Sequence, residues 1–222
     1  SPIPYSKQSP FPGSVAHRLE ESLGKHNMSQ EDFHRLRLTR EVDLTQEQAN
    51  QLKSIRNDLV PELTKDTVFR KTVPIEDLHY YFEPDFIKSP EGTTVQGYIA
   101  RKADVEHLHG HSEVNEAARL DYRGTKFTTG VHAYIDFTVN EEKISKLQTP
   151  FGIKFGGIKE TIGASPFTGN GFTASRNGEV IPEIWTPRIR PETGQIFSVN
   201  AQGHKELIGI YNFDDKKFIS LK

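Results

Sequence analysis

Apolar residues recur at steps of three and four as far as Pro61, and after it the period changes. Such a switch dictates two kinds of element. Side chains share a helix face about every 3.6 residues and a strand face every second residue. Before the switch, Val15, Leu19 and Leu23 follow Ser14, and Phe33 and Leu36 follow Ser29 and Asp32. The clearest case is Thr45 with Gln48, a capping-box pair, leading into Ala49, Leu52, Ile55 and Leu59. Pro61 closes that helix. Residues 14–61 therefore read as a helical subdomain whose expected role is packing. Ahead of it, Pro2, Pro4, Pro10 and Pro12 mark 1–13 as a linker. The chain starts at Ser1 with no basic-then-apolar leader, and we expect it to be a portion of something longer.

After Pro61, short runs rich in β-branched and aromatic residues predict strands over 66–74, 93–101, 131–139, 151–158, 180–185, 195–199, 206–211 and 218–221. Asn200-Ala-Gln-Gly203 reads as the hairpin turn between two of them. A short helix or turn is expected over 75–82. A longer helix is expected over 104–121, interrupted at Gly110. Strands with few helices between them argue for an α+β fold. The expectation is an N-terminal helical subdomain followed by a mixed, mostly antiparallel two-sheet core over 62–222, and not a doubly wound sheet.

Composition excludes several classes. With 14 Phe and 7 Tyr the chain can bury a core, so disorder throughout is excluded. A net charge of −2 argues against a domain devoted to gripping nucleic-acid phosphates. No apolar run is long enough to span a membrane. The absence of cysteine removes disulfides, thiol nucleophiles and thiolate metal ligands, and suits both a cytosolic protein and one that must unfold to cross a membrane.

Three groups of residues can carry chemistry. The stretch from Thr168 to Ile184 begins as a glycine-rich turn, passes Asn170 and Phe172, and delivers Glu183 at the head of an apolar run, with Trp185 two residues on. A loop that hands a carboxylate to a strand edge is one way to build a catalytic site, and a surface hairpin is the plain alternative. Arg70, on the first expected strand, offers a planar fork suited to phosphate or carboxylate. Together, Arg70 and Glu183 describe a site for a dinucleotide whose glycosidic bond is to be broken. The second group is His107, His109 and His111, with Glu106 and Glu113 close by and His132 further on. Residues two apart converge on a metal only if the segment is extended, so solvated histidines are the simpler reading. The third is a metal-independent ribonuclease set of His109, His132, Lys126 and Tyr134. The run Lys154–Lys159 can contact phosphate but is not a P-loop.

The order Thr67-Val-Phe-Arg70, then Gln96-Gly-Tyr-Ile-Ala-Arg101, then a loop and Glu183 before an apolar strand resembles the ADP-ribosyltransferase superfamily over about 66–221. The resemblance implies NAD as substrate, no metal, and a cleft between two small sheets. It implies that Arg70 binds the NAD phosphates or ribose and that Glu183 is the catalytic carboxylate. Tyr98, Arg101, Asn170, Phe172 and Trp185 would complete the NAD site, and the loop 168–177 would lie at the nicotinamide or the acceptor. The second strand has Gly-Tyr-Ile-Ala-Arg where the arginine-modifying branch has Ser-Thr-Ser, and Ile181 stands where related enzymes have Glu or Gln. The second departure favours water as acceptor, an NAD glycohydrolase. The proline-rich start, helical lead-in and lack of cysteine also resemble the C-terminal effector modules of bacterial polymorphic, Rhs- or Tc-type toxins. That implies a secreted or translocated protein acting in a target-cell cytoplasm on a macromolecule there, with an immunity protein or toxin carrier as further partners.

Overall fold

The fold is that of a computed structural model, which describes residues 14–157 and 166–222. The linker expected over 1–13 and the end of the Lys154–Lys159 run lie outside the described residues. The chain divides into two compact units. One takes the chain up to Glu62, then Glu116–Arg119 and Thr149–Glu183; the other takes Leu63–Asn115, Leu120–Gln148 and Ile184–Lys222.

The helical unit contains α1 (Ser14–Lys25), α2 (Gln30–Arg37) and α3 (Gln46–Leu59). Ser29 caps α2 by accepting the Asp32 N–H at 3.1 Å. Thr45 caps α3 through the box read from sequence, with the Gln48 N–H on Thr45 Oγ1 at 3.1 Å and the Thr45 N–H on Gln48 Oε1 at 2.9 Å. Each helix alone has an apolar stripe and nothing to bury it against. Val15, Leu19 and Leu23 of α1, Phe33 and Leu36 of α2, and Ala49, Leu52, Ile55 and Leu59 of α3 close on one another. The same core takes in Phe155, Phe172 and Val180, so residues 149–183 belong to the helical unit by packing.

The sheet unit is built on β1 (Phe69–Val73), β2 (Val95–Arg101), β3 (His132–Thr138), β4 (Ile184–Ile189), β5 (Thr193–Val199), β6 (Lys205–Asn212) and β7 (Lys217–Ser220). All neighbours are antiparallel, in the order β4-β2-β1-β3-β5-β6-β7. The strands thus join in one sheet rather than two, because β2 pairs with β1 on one side and with β4 on the other. Alternate residues Phe69, Val73, Ile99, Ala133, Ile135, Phe137, Ile184 and Ile196 make the core face. Short helices α4 (His79–Phe82), α5 (Lys102–Val105), α6 (Gly110–Ala118) and α7 (Glu141–Ile144) fill the connections. Among the described residues, no helix is long and apolar enough to cross a membrane.

Three expected elements differ. The helix over 104–121 is two helices: α5 ends at Val105, and α6 begins at Gly110, whose φ of +68° is a left-handed conformation that glycine adopts readily. The strand expected from Phe151 is a turn. The Phe155 and Gly157 N–H groups both donate to Gly152 O, and the Gly156 N–H donates to Ile153 O, so pairing stops at a single bridge between Phe151 and Asn170. The strand expected over 180–185 begins only at Ile184, because Val180 and Ile181 are buried at the end of the helical unit instead.

Candidate active site

Alternation along β1 and β3 sends Arg70, His132, Tyr134 and Asp136 to the sheet face opposite the core. Arg70 and Asp136 are directly paired positions. The guanidinium is forked onto the carboxylate, Nε to Oδ1 at 2.7 Å and Nη2 to Oδ2 at 3.0 Å. It also lies over the Tyr134 ring, 3.8 Å from the centroid, and Tyr134 stacks on Phe197 of β5 at 5.2 Å. The pair is nearly buried, with side-chain exposures of 10% and 7%. Arg70 is therefore a fixed cation, and the N–H groups of its Nη1 have no partner among the described residues.

On the same strand, His132 is buried and its Nδ1 lies 3.3 Å from Nδ1 of His111 in α6. At that distance one nitrogen must donate and the other accept, so both rings cannot be charged. Burial, then His111, then Arg70 lower the His132 pKa to about 4, and burial lowers that of His111. Of the histidines considered for metal, His111 thus meets another histidine, and no group of three metal-ligating side chains occurs among the described residues. Tyr98 and Trp185 face each other as paired positions of β2 and β4, and alternation puts them on the Arg70 side, away from core residues Ile99 and Ile184. Arg101 goes to the opposite side and is forked onto Asp104 at 2.9 and 2.7 Å, with both residues buried. Lys126 is tied to Asp77 at 3.0 Å.

Glu183 is the last residue of the helical unit. The turn before it is packed, not a solvated hairpin. Its arms are joined by the Thr173 N–H on Ile181 O at 3.0 Å and the Glu183 N–H on Gly171 O at 2.7 Å. Gly171 has φ +86°, and a Cβ there would lie 3.0 Å from both Arg56 Cγ and the Phe151 ring, so only glycine fits. Asn170, expected at the cofactor, is fully buried and its amide is used by the fold. Its Nδ2 donates to Arg37 O at 2.8 Å, and its Oδ1 accepts from the Phe172 N–H and Thr168 Oγ1. Phe172 is likewise core, edge-on to Phe33 at 5.5 Å. Arg56 of α3 donates Nη2–H to Glu183 O at 2.5 Å. Glu183 is half-buried, and removal of its carboxyl from water raises the pKa to about 8 against the opposing pull of Arg56.

Of the residues expected to bind NAD, Arg70, Tyr98 and Trp185 share one sheet face, Arg101 is on the other, and Asn170, Phe172 and Glu183 belong to the helical unit. Sequence reasoning missed Asp136 and Arg56. Asp136 had a signal, since His132, Tyr134 and Asp136 alternate with the apolar Ala133, Ile135 and Phe137 along one strand. Arg56 had a weaker one, a charge one residue past the buried Ile55 of an amphipathic helix. Lys71 was also missed. It sits on the core face of β1, its Nζ 3.4 Å from Tyr98 O, and burial lowers its pKa to about 8 despite Asp77.

No protein-family model matches the chain, and no curated protein or solved structure is significantly similar to it.

Proposed function

We propose that the chain is an NAD-consuming ADP-ribosyltransferase of the toxin-effector kind, with Glu183 as its catalytic carboxyl. The observation that carries the reading is the position of Glu183, at the end of a packed glycine turn, with a proton affinity raised to the neutral range. A carboxyl so perturbed by desolvation beside a specific charge is a functional-site candidate. In the reaction the bond between nicotinamide and ribose C1′ breaks, and the bonding pair leaves with nicotinamide. The acceptor then adds to C1′ and loses a proton. An ionised Glu183 opposes the positive charge that grows on the ribose, as carboxylates do in glycoside cleavage. Arg70 is proposed to meet the phosphates through its unpartnered Nη1, held rigid by Asp136. Tyr98 and Trp185 offer rings on the same face for the nicotinamide or adenine. The target protein, an immunity protein or carrier, and action inside a target cell are part of the same proposal, and water as acceptor is its nearest variant.

The test is nicotinamide release from NAD by the purified chain, with and without cell lysate, beside Glu183→Gln. Release that needs lysate and labels a macromolecule supports a transferase; release in buffer alone identifies a glycohydrolase. Equal release by wild type and Glu183→Gln overturns the assignment. A metal-independent ribonuclease is the second reading, favoured by the convergence of His111, His132, Tyr134 and Arg70. It requires RNA cleavage without cofactor that His132→Ala abolishes and Glu183→Gln spares.

A further inference from the structure

Polar side chains on one face of α3 are spent on the backbone of the stretch that ends at Glu183. Gln46 Nε2 donates to Lys154 O at 2.9 Å, Lys53 Nζ to Phe155 O at 2.8 Å and Arg56 Nη2 to Glu183 O at 2.5 Å. Just ahead of α3, Glu41 Oε1 accepts the Lys154 N–H at 2.7 Å. From α2, Arg37 Nη1 donates to Ser175 O at 2.9 Å, and Arg37 O accepts from Asn170. The helices therefore hold the turn by its peptide groups, while their apolar stripes hold it by Phe155, Phe172 and Val180.

At Glu183 both backbone groups are fixed. Its N–H goes to Gly171 O and its C=O receives Arg56. The stem of Arg56 also lies against Gly171, where an added Cβ would be 3.0 Å from Arg56 Cγ and 3.1 Å from Nε. One side chain thus braces both ends of the bridge that aims the carboxyl. Arg56 is 4% exposed on a helix whose neighbours Leu52, Ile55 and Leu59 are fully buried, so its own anchor is rigid. We propose that Arg56 is the positioning residue for Glu183, which makes the N-terminal helices part of the catalytic apparatus and not merely a lead-in. This rests on Glu183 being the catalytic carboxyl. The arginine's charge is also the pull that opposes the effect of burial on that carboxyl, so its removal is felt at the proton as well as in the geometry.

The test uses the full chain with Arg56→Met and Arg56→Lys. Nicotinamide release by Arg56→Met is expected to fall about ten- to hundredfold in kcat, with KM for NAD within about twofold. Arg56→Lys, which keeps the charge and one donor, is expected to recover part of the loss. In parallel the Glu183 carboxyl is followed by carbon-13 glutamate NMR, with its signal assigned by its loss in Glu183→Gln. Its titration midpoint is expected to move up in Arg56→Met and return toward wild type in Arg56→Lys. An unmoved midpoint in Arg56→Met, or a fall in rate that appears as KM alone, overturns the role. If Arg56→Met does not fold by circular dichroism, Arg56→Gln takes its place with the same expected direction. If the wild-type chain releases no nicotinamide, the NAD reading fails by itself. The NMR midpoint then still decides for or against Arg56.

Discussion

Glu183→Gln should change how stability depends on pH, and the size of the change follows from the burial of one carboxyl. In the folded chain its pKa is about 8, against an ordinary 4.5. The native state keeps a proton that the unfolded state releases, so this stabilisation is complete below pH 4.5 and is lost as pH rises through 8. Each tenfold change in proton affinity is worth about 1.36 kcal/mol, which sets an upper value of about 5 kcal/mol across the window. Glutamine has nearly the same shape and no proton to lose. The variant should therefore match wild type near pH 5 and exceed it progressively toward pH 8. Urea unfolding at whole-number steps from pH 5 to pH 8 reads the difference directly, with the m-value as a check that the unfolded state is the same. Parallel curves for the two proteins would refute the reasoning, because they would mean that Glu183 ionises as freely in the fold as outside it.

Other perturbations act on the same physics. If ionised Glu183 is the working form, kcat/KM for nicotinamide release should rise with pH and level off above about 8, a profile read from initial rates. His34 and His132 are both lowered to about 4, His34 by burial and then by Arg37 and His132 by burial and then by His111 and Arg70. Their stabilisation is therefore present above pH 6.5 and lost as pH falls toward 4, about 3 kcal/mol at most for each, and His132→Phe should flatten part of the acid limb of a thermal-melt series. Asp136→Asn leaves Arg70 buried without its counter-charge and should cost about 3–5 kcal/mol in denaturant unfolding at pH 7. Lys71→Met removes a charge held on the core face. It should stabilise by at most about 3 kcal/mol below pH 8, with the gain fading as pH rises to 10.5.

The sequence was most legible where a residue's partners are near neighbours. The capping box at Thr45 needs only Gln48, and β1, β2 and β3 follow from alternation within a few residues. It was least legible where an apolar run has two possible destinations. Val180 and Ile181 look like the start of a strand, yet they fill the helical unit, and only from Ile184 does the run enter the sheet. Phe151–Phe155 has strand composition, but the N–H groups of Phe155, Gly156 and Gly157 fold back onto Gly152 and Ile153 in a turn. The candidate site shows the same divide. Glu183 and Arg70 stand out by type and local context. Their partners are far along the chain, Arg56 by 127 residues and Asp136 by 66, and no local pattern says which of them meets which.

Because the helical unit draws on stretches ending at Glu62, Arg119 and Glu183, the chain passes between the two units five times. During synthesis from the N-terminus, α1, α2 and α3 emerge early but lack Phe155, Phe172 and Val180 to finish their core. Their oily stripes must wait for about a hundred further residues, a natural opening for a chaperone. No single cut separates the units into fragments that each carry a whole core. Splitting the gene at Pro61 should thus give two insoluble halves, and a split pair should regain solubility only when both are made together.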